Sequence, residues 1–260
     1  MGGAAAISPV GAGGSGLTAM GRLRLHVPRA RLAGDSVTVS GSDHRHLARV
    51  LRATAGTAVT LFDGVGGEVE ARVARVGRAE TLLVLGDAHE IAPANPAPVV
   101  LLTAVPRGGR MDVLVQKTAE LGVARIVPVL ATRSVVRPEP GRRARWEKIA
   151  REAARQCGRA DVPVVDAPIA LAAALALADL PARRIALVEG ERGRSLRSAL
   201  GTPEPTAALV GPEGGFAPAE VTAARDAGFV PVGLGARILR VETAAIVAVA
   251  LIAECYGQLE

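Results

Sequence analysis

Leu209-Val210-Gly211-Pro212-Glu213-Gly214-Gly215-Phe216 carries an apolar stretch, Ala207 to Val210, straight into a loop with three glycines and a proline. The stretch has strand length, and the glycines let backbone approach a ligand closely and permit positive φ. Parallel sheets gather ligands at the carboxyl ends of their strands. Taken alone, the loop reads equally well as a tight strand-to-helix turn. A second crossing of the same kind follows at Leu234-Gly235-Ala236-Arg237-Ile238-Leu239-Arg240-Val241-Glu242-Thr243-Ala244. There a strand, Val230 to Leu234, ends on a glycine, and an apolar helix, Glu242 to Cys255, begins shortly after. Glu242 and Thr243 fall in or near the first helical turn, where a carboxylate and a hydroxyl suit the positive end of the dipole. Ordinary capping accounts for at least one of them. Arg240 lies between Leu239 and Val241, where a charge is costly without a partner.

Upstream of these crossings the pattern alternates strand and helix. Val99 to Val105 is an apolar run of strand length that ends in Pro106-Arg107-Gly108-Gly109-Arg110. A helix is expected over Asp112 to Leu121, a strand over Arg125 to Leu130, helices over Arg145 to Gly158 and Ile169 to Leu180, buried strands at Ile185 to Val188 and Ala207 to Val210, and a helix over Pro218 to Ala227. Strands alternating with helices mean an α/β domain with a mostly parallel sheet. Lys117 and Glu120, spaced i,i+3, pair on a solvated helix face in the simplest reading.

Before Val99 the pattern is different. Leu23, Leu25 and Val27 alternate with Arg22, Arg24 and His26; Val37 with Val39, Val59 with Leu61, and Val69, Ala71 and Val73 do the same, and Leu82 to Leu85 is apolar throughout. Ala33-Gly34-Asp35, Ser40-Gly41-Ser42 and Asp63-Gly64-Val65-Gly66-Gly67 read as turns. Short strands with regular turns predict a small β-barrel, interrupted by one helical piece at about Asp43 to Arg52. Three prolines in Ala92 to Pro98 can continue neither a helix nor a central strand. This places a tail at 1–20, a barrel domain at 21–92 and the α/β domain at 96–260. The tail is Gly/Ala/Ser-rich and has no Lys or Arg, so it lacks the basic start of a signal peptide; Met20 is an alternative start.

Hydrophobic residues make up 49% of the 260 and aromatics only 2%, so aliphatic side chains and alanine must fill the core. No charge-free apolar run is long enough to span a bilayer. Cys157 and Cys255 form no C-x-x-C pair, which suggests free thiols in a reducing cytoplasm. His44 and His46 lack a third ligand, so no metal site is expected. No P-loop or Ser-His-Asp pattern is present, and no G-x-G-x-x-G opens a helix, so the common Rossmann-type layout is not indicated. From Arg133 to Arg159 nine basic residues face three acids, so this segment carries the whole net charge of +6, while the rest balances at 22 against 22. Lys148, Arg151, Arg155 and Arg159 recur at helical spacing on one face, with Trp146, Ile149, Ala153 and Cys157 on the other. A solvated charged face is the usual reading, but only Glu152 opposes these charges locally. Concentrated basic charge is the footprint of a phosphate-rich partner.

These segments resemble, residue for residue, the bacterial 16S ribosomal RNA uridine N3-methyltransferase family of the knotted SPOUT class. The resemblance rests on Gln116 to Val123, Arg145-Trp146 with Glu152-Ala153 and Gln156, Arg159 with Val162-Pro163, Gly211 to Phe216, and Leu234-Gly235 with Ile238-Leu239-Arg240 and Glu242-Thr243-Ala244; in the first domain His46-Leu47 and Val50-Leu51-Arg52 match. It runs from about Arg22 to the end. Arg107 stands where the family usually has lysine, and the strand from Arg22 to Val27 lacks the family's aromatics.

The resemblance implies a PUA-like β-barrel followed by a SPOUT-type parallel sheet with a C-terminal trefoil knot. It implies S-adenosyl-L-methionine as methyl donor, 16S rRNA of the small ribosomal subunit as substrate, and a homodimer. The donor would sit among Val188, Glu189, Val210, Gly211, Pro212, Glu213, Gly214, Gly215, Leu234, Gly235, Ile238, Leu239, Arg240 and Thr243. Arg240 is the candidate cation for charge developing on the uracil oxygens, and Glu242 the candidate base for the N3 proton. RNA contact is expected from Arg52, Lys117, Arg133, Arg145, Lys148, Arg151, Arg155 and Arg159. The alternatives are a SPOUT enzyme acting on another RNA such as transfer RNA, a non-catalytic RNA-binding assembly factor, and an α/β enzyme for a small anionic metabolite.

Overall fold

The computed structural model describes residues 23–89 and 95–259. The expected tail, Arg22, most of the proline-rich boundary and Glu260 lie outside the described residues.

The N-terminal part is a five-stranded sheet. It contains β1 (Leu23–His26), β2 (Ser36–Ser40), β3 (Ala58–Phe62), β4 (Glu68–Val76) and β5 (Glu80–His89) in the order β1-β3-β4-β5-β2. Only β1 and β3 run parallel. Alternation puts Leu25, Val37, Val39, Val59, Leu61, Ala71, Val73 and Leu83 on one concave face, where they form a single core. The expected barrel is thus a curled half-barrel with β1 and β2 as its edges. Ser40-Gly41-Ser42 is not a turn. Gly41, at φ 63°, starts α1 (Gly41–Arg45) directly after β2, and the chain continues as a π-turn over His46–Val50.

The second part is a parallel sheet. Its strands are β6 (Val99–Ala104), β7 (Arg125–Leu130), β8 (Val164–Val165), β9 (Ile169–Ala170), β10 (Arg183–Leu187), β11 (Thr206–Val210) and β12 (Val230–Val232), ordered β12-β10-β11-β6-β7-β8, with β9 pairing β7 further along. Every residue of β6 and β11 is buried, as continuous apolar runs covered on both faces require. The helices are α2 (Arg110–Glu120), α3 (Arg142–Cys157), α4 (Leu171–Leu175), α5 (Leu196–Ala199), α6 (Pro218–Asp226) and α7 (Val241–Cys255). Residues of α2, α3 and α7, among them Leu114, Trp146, Ala150, Val249 and Ile252, pack one face. Leu171, Ala174, Leu175 and Ala224 of α4 and α6 pack the other.

The helix expected over Ile169 to Leu180 is a correction. Ile169 pairs with Val129 in the sheet, and only Leu171–Leu175 is helical. An alanine-rich sequence favours helix, but the sheet edge captures its first residues. On α3, Trp146, Ala150, Ala153 and Ala154 face the core, while Ile149 is half-buried and Cys157 exposed. The buried stripe is therefore rotated relative to the one expected, and alanines let the helix approach the sheet closely.

The two parts meet at one seam. The β3–β4 turn docks on the chain beyond α3: Gly64 N–H donates to the Ala160 carbonyl at 3.1 Å and Val162 N–H to the Gly64 carbonyl at 2.9 Å. Gly64 sits at φ 83° with its missing Cβ 2.7 Å from His26 Nε2, so a side chain there would be both strained and crowded.

Candidate functional site

The register puts the carboxyl ends of β10, β11 and β12 side by side, Leu187 opposite both Val210 and Val232. The loops that leave them converge. Together they enclose a cavity of about 560 Å³, within the range of small-molecule sites. Of the residues expected to hold a donor, all but Arg240 and Thr243 line it.

Close packing explains the glycines. A Cβ on Gly211 would fall 2.8 Å from the Phe216 ring, which folds back over the loop. Gly235, at φ 101°, takes a conformation that other residues rarely adopt. The tightest point is Gly233, whose Cβ would lie 2.1 Å from the Glu191 carbonyl oxygen. There the chain leaving β12 is stitched to the loop after β10. Gly233 N–H donates to the Arg194 carbonyl at 2.9 Å, and Leu196 N–H to the Gly233 carbonyl at 3.2 Å.

Neighbouring loops are fixed to the Gly211 loop by polar contacts. Glu213 accepts from the Arg107 backbone N–H at 3.1 Å, and Arg133 donates to the Gly214 carbonyl at 2.9 Å. Glu220 accepts from the backbone N–H groups of Thr132 at 2.7 Å and Ala217 at 2.8 Å. Burial favours its neutral form, but those N–H groups and nearby Arg133 outweigh burial and hold the carboxyl below its ordinary pKa. Arg133, expected on RNA, thus stands at the cavity.

Arg240 is the residue just before α7, and its side chain is exposed, so it bears none of the burial cost expected from its apolar neighbours. Neither Glu242 nor Thr243 caps the helix. Glu242 instead faces Arg110 of α2 at 3.4 Å, with its Oε2 buried and without a hydrogen-bond partner; Thr243 is exposed.

The basic face differs from its expected form, because three of its arginines are paired with acids, one of them reaching in from another helix. Arg145 pairs with Asp112 of α2 at 2.7 Å, Arg155 with Glu152, and Arg159 with Asp161. Arg159 is not a surface residue. Its side chain is 15% exposed and also donates to the carbonyls of Ala119 at 2.6 Å and Val123 at 3.1 Å. Lys117 pairs with Glu120 at 2.8 Å. Lys148 and Arg151 remain exposed and without a partner among the described residues. So does Arg52, a non-glycine residue at φ 48° directly after the π-turn, a combination associated with functional positions.

His46 accepts from Arg155 across the seam. Burial and then the Arg155 charge lower its pKa; burial and then Arg151 lower that of His26. His44 is buried against the Thr81 hydroxyl at 2.9 Å. No group of three or more metal-ligating side chains occurs among the described residues.

Two family models match the chain, an RNA methyltransferase domain over residues 93–253 and an RNA methyltransferase PUA domain over residues 39–84. Ribosomal RNA small subunit methyltransferase E of Synechocystis sp. is 32% identical over 237 residues, covering 88% of this chain and 76% of that protein. The chain belongs to the ribosomal RNA small subunit methyltransferase E family. Its fold agrees with that of the family member from Neisseria gonorrhoeae, solved bound to S-adenosyl methionine, with a TM-score of 0.82, 32% identity and coverage of 90% of this chain and 98% of that one. A Legionella pneumophila protein in complex with the cofactor SAM superposes with a TM-score of 0.83 at 30% identity, covering 90% of this chain and 98% of that one. The half-barrel and the parallel sheet are therefore the PUA-like and SPOUT parts of this methyltransferase family.

Within this family framework, sequence reading gave Arg237 and Phe216 of its two motifs no place in the site, and missed Arg192 and Gly233. The signal for Arg192 was present: Glu189-Gly190-Glu191-Arg192-Gly193-Arg194 is a further strand-end loop with glycines. Gly233 carried no such signal, because its neighbour Glu191 is remote in sequence.

Proposed function

We propose that this chain transfers a methyl group from S-adenosyl-L-methionine to N3 of a uridine in 16S ribosomal RNA of the small subunit. The observation that carries the reading is the cavity formed where three adjacent strand ends release their loops. Its residues fit the donor. Val188, Val210, Leu234 and Leu239 give an apolar slot for a purine. Glycine backbones around it offer hydrogen bonds at close range. Glu189 brings a carboxylate that no described residue engages, suited to the hydroxyls or ammonium of such a ligand.

When bound, the donor supplies an electrophilic methyl on a positively charged sulfur. The protein's share is mostly positioning, worth up to about 7–11 kcal/mol in well-oriented cases. Arg240, exposed beside the cavity, stabilises the negative charge that develops on the uracil oxygens as the N3 proton leaves. Glu242 is the weaker candidate for accepting that proton, its free Oε2 being the feature in its favour.

RNA phosphates are gripped by Lys148 and Arg151 of α3, with Arg52 of the half-barrel alongside; because His46 touches Arg155, the π-turn that precedes Arg52 lies against the helix. The same reading includes a division between the parts across residues 92–96, threading of the C-terminal segment into a trefoil knot, and a homodimer. Exposed Val113 and Ile238 offer apolar surface of the kind an interface covers.

The test is incubation of small ribosomal subunits, isolated from cells lacking the protein, with the chain and labelled donor, followed by mapping of the modified nucleotide. Methyl label at N3 of one uridine in 16S RNA is the expected result. Label confined to transfer RNA, or none despite donor binding, would defeat the assignment.

A further inference from the structure

Two cations at the edge of the cavity have no partner among the described residues. Arg192, in the loop after β10, and Arg237, in the loop after β12, both line the cavity and both are exposed to solvent. Among the described residues neither meets an acceptor. Of the acids nearby, Glu189 lines the cavity but pairs with neither arginine, and Glu191 and Glu213 are engaged elsewhere. The Glu191 carboxylate accepts from its own loop at Gly193 N–H, 2.7 Å, and Glu213 accepts from the Arg107 backbone. Arg133, the third arginine of the cavity, is tied to the Gly214 carbonyl. Two unpaired guanidinium groups on neighbouring loops leave positive charge at the cavity edge, and an anion held there would be attracted to both.

A sulfonium donor is positively charged at its reactive end, so that end cannot be the anion. We propose that Arg192 and Arg237 clamp a backbone phosphate of the RNA at the target nucleotide and hold it over the cavity. This rests on the methyltransferase reading given above. A guanidinium offers planar pairs of N–H donors that match phosphate oxygens. The clamp is preorganised, because its two loops are already joined by the Gly233–Arg194 and Leu196–Gly233 hydrogen bonds. Holding the phosphate fixes the path of the strand, and so places the base beside Arg240, three residues after Arg237.

The competing anion of the same chemistry is the donor's own carboxylate, and the test separates the two. Full-length Arg192→Ala, Arg237→Ala and double variants are compared with the unaltered chain by donor calorimetry and by methylation of small subunits over a range of salt. The clamp requires donor Kd within about twofold of the unaltered chain, with KM for subunits raised roughly tenfold in the double variant. The salt dependence of RNA binding should also become shallower by about one or two in logarithmic slope. Arg237→Lys, which keeps the charge, should restore most of the slope.

An unchanged KM and slope would overturn the clamp. So would a tenfold loss of donor affinity, which would assign the arginines to the donor carboxylate instead. Failure of the underlying reading looks different: the unaltered chain itself would bind no donor.

Discussion

At the seam beside the C-terminal end of α3, the arginines already have acceptors. Arg155 engages His46 and Glu152, Arg159 holds Asp161 and two carbonyls, and Arg24 reaches Glu68 and the Arg159 carbonyl. At the cavity, Arg192, Arg237 and Arg240 meet no acceptor among the described residues, and Glu189 meets no donor. Both regions are rich in arginine, and a sequence count treats them alike. The seam uses its charge to hold two sheets together. The cavity leaves its charge facing solvent, where an incoming RNA or cofactor can take it up. Positive charge thus indicates a binding surface only where the fold has not already paired it.

The sharpest way to break that contrast is at Arg240. Arg240→Ala should lower single-turnover methyl transfer by roughly 100-fold or more, the scale of losing one well-placed electrostatic stabiliser. Donor affinity by calorimetry should stay close to that of the unaltered chain. Normal turnover would remove Arg240 from the chemistry and leave the cavity no better supported than the seam.

Arg159→Ala tests the opposite pole. It strips the partners from two carbonyls and from Asp161, whose pKa is lowered because the Arg159 charge and hydrogen bonds overcome burial. A loss of about 2 kcal/mol in denaturant unfolding is expected. The salt slope of RNA binding should not change. A shallower slope with intact stability would mean that Arg159 is a phosphate contact after all.

Replacing Lys148 and Arg151 together with alanine should do the reverse. Unfolding should stay within about 0.5 kcal/mol, as for exposed positions, and the salt slope should fall by roughly one to two. An unaltered slope would take α3 out of the RNA interface.

The smallest effect concerns pH. Burial and the Arg155 charge hold the His46 pKa below its ordinary value of about 6.5. An unfolded chain therefore binds the proton more readily. Its contribution to stability is present above the ordinary value and is lost as pH falls through the folded value. His46→Gln should flatten the dependence of the unfolding midpoint over that acidic window by a small amount, since the ring is partly solvated. Equal slopes in the two proteins would show that the seam does not titrate through this residue.

Much of the site was legible because glycine and proline at strand ends mark it locally. Gly211 to Gly215 and Gly235 each have a reason that can be read within a few residues: a ring folding back, a positive φ, a turn. The basic helix was legible as a helix but not as a surface. Asp112, which pairs with Arg145, belongs to α2, and Arg159 lies beyond the helix end with its side chain on the Ala119 and Val123 carbonyls. Ile169 joined the sheet against the helical preference of the alanines after it, because hydrogen bonding beside β7 outweighs intrinsic propensity.

The sequence by itself determined the two kinds of architecture, alternating short strands before the prolines and strand–helix alternation after them, because hydrophobic period and turn residues act over a few positions. It also determined the two glycine crossings. Only the tertiary structure decided which arginines are free. It also decided that Gly233 must pass beneath the Glu191 carbonyl, and that three loops share one cavity. These depend on contacts between remote segments, and a charge or a missing side chain acquires its role from what the fold brings against it.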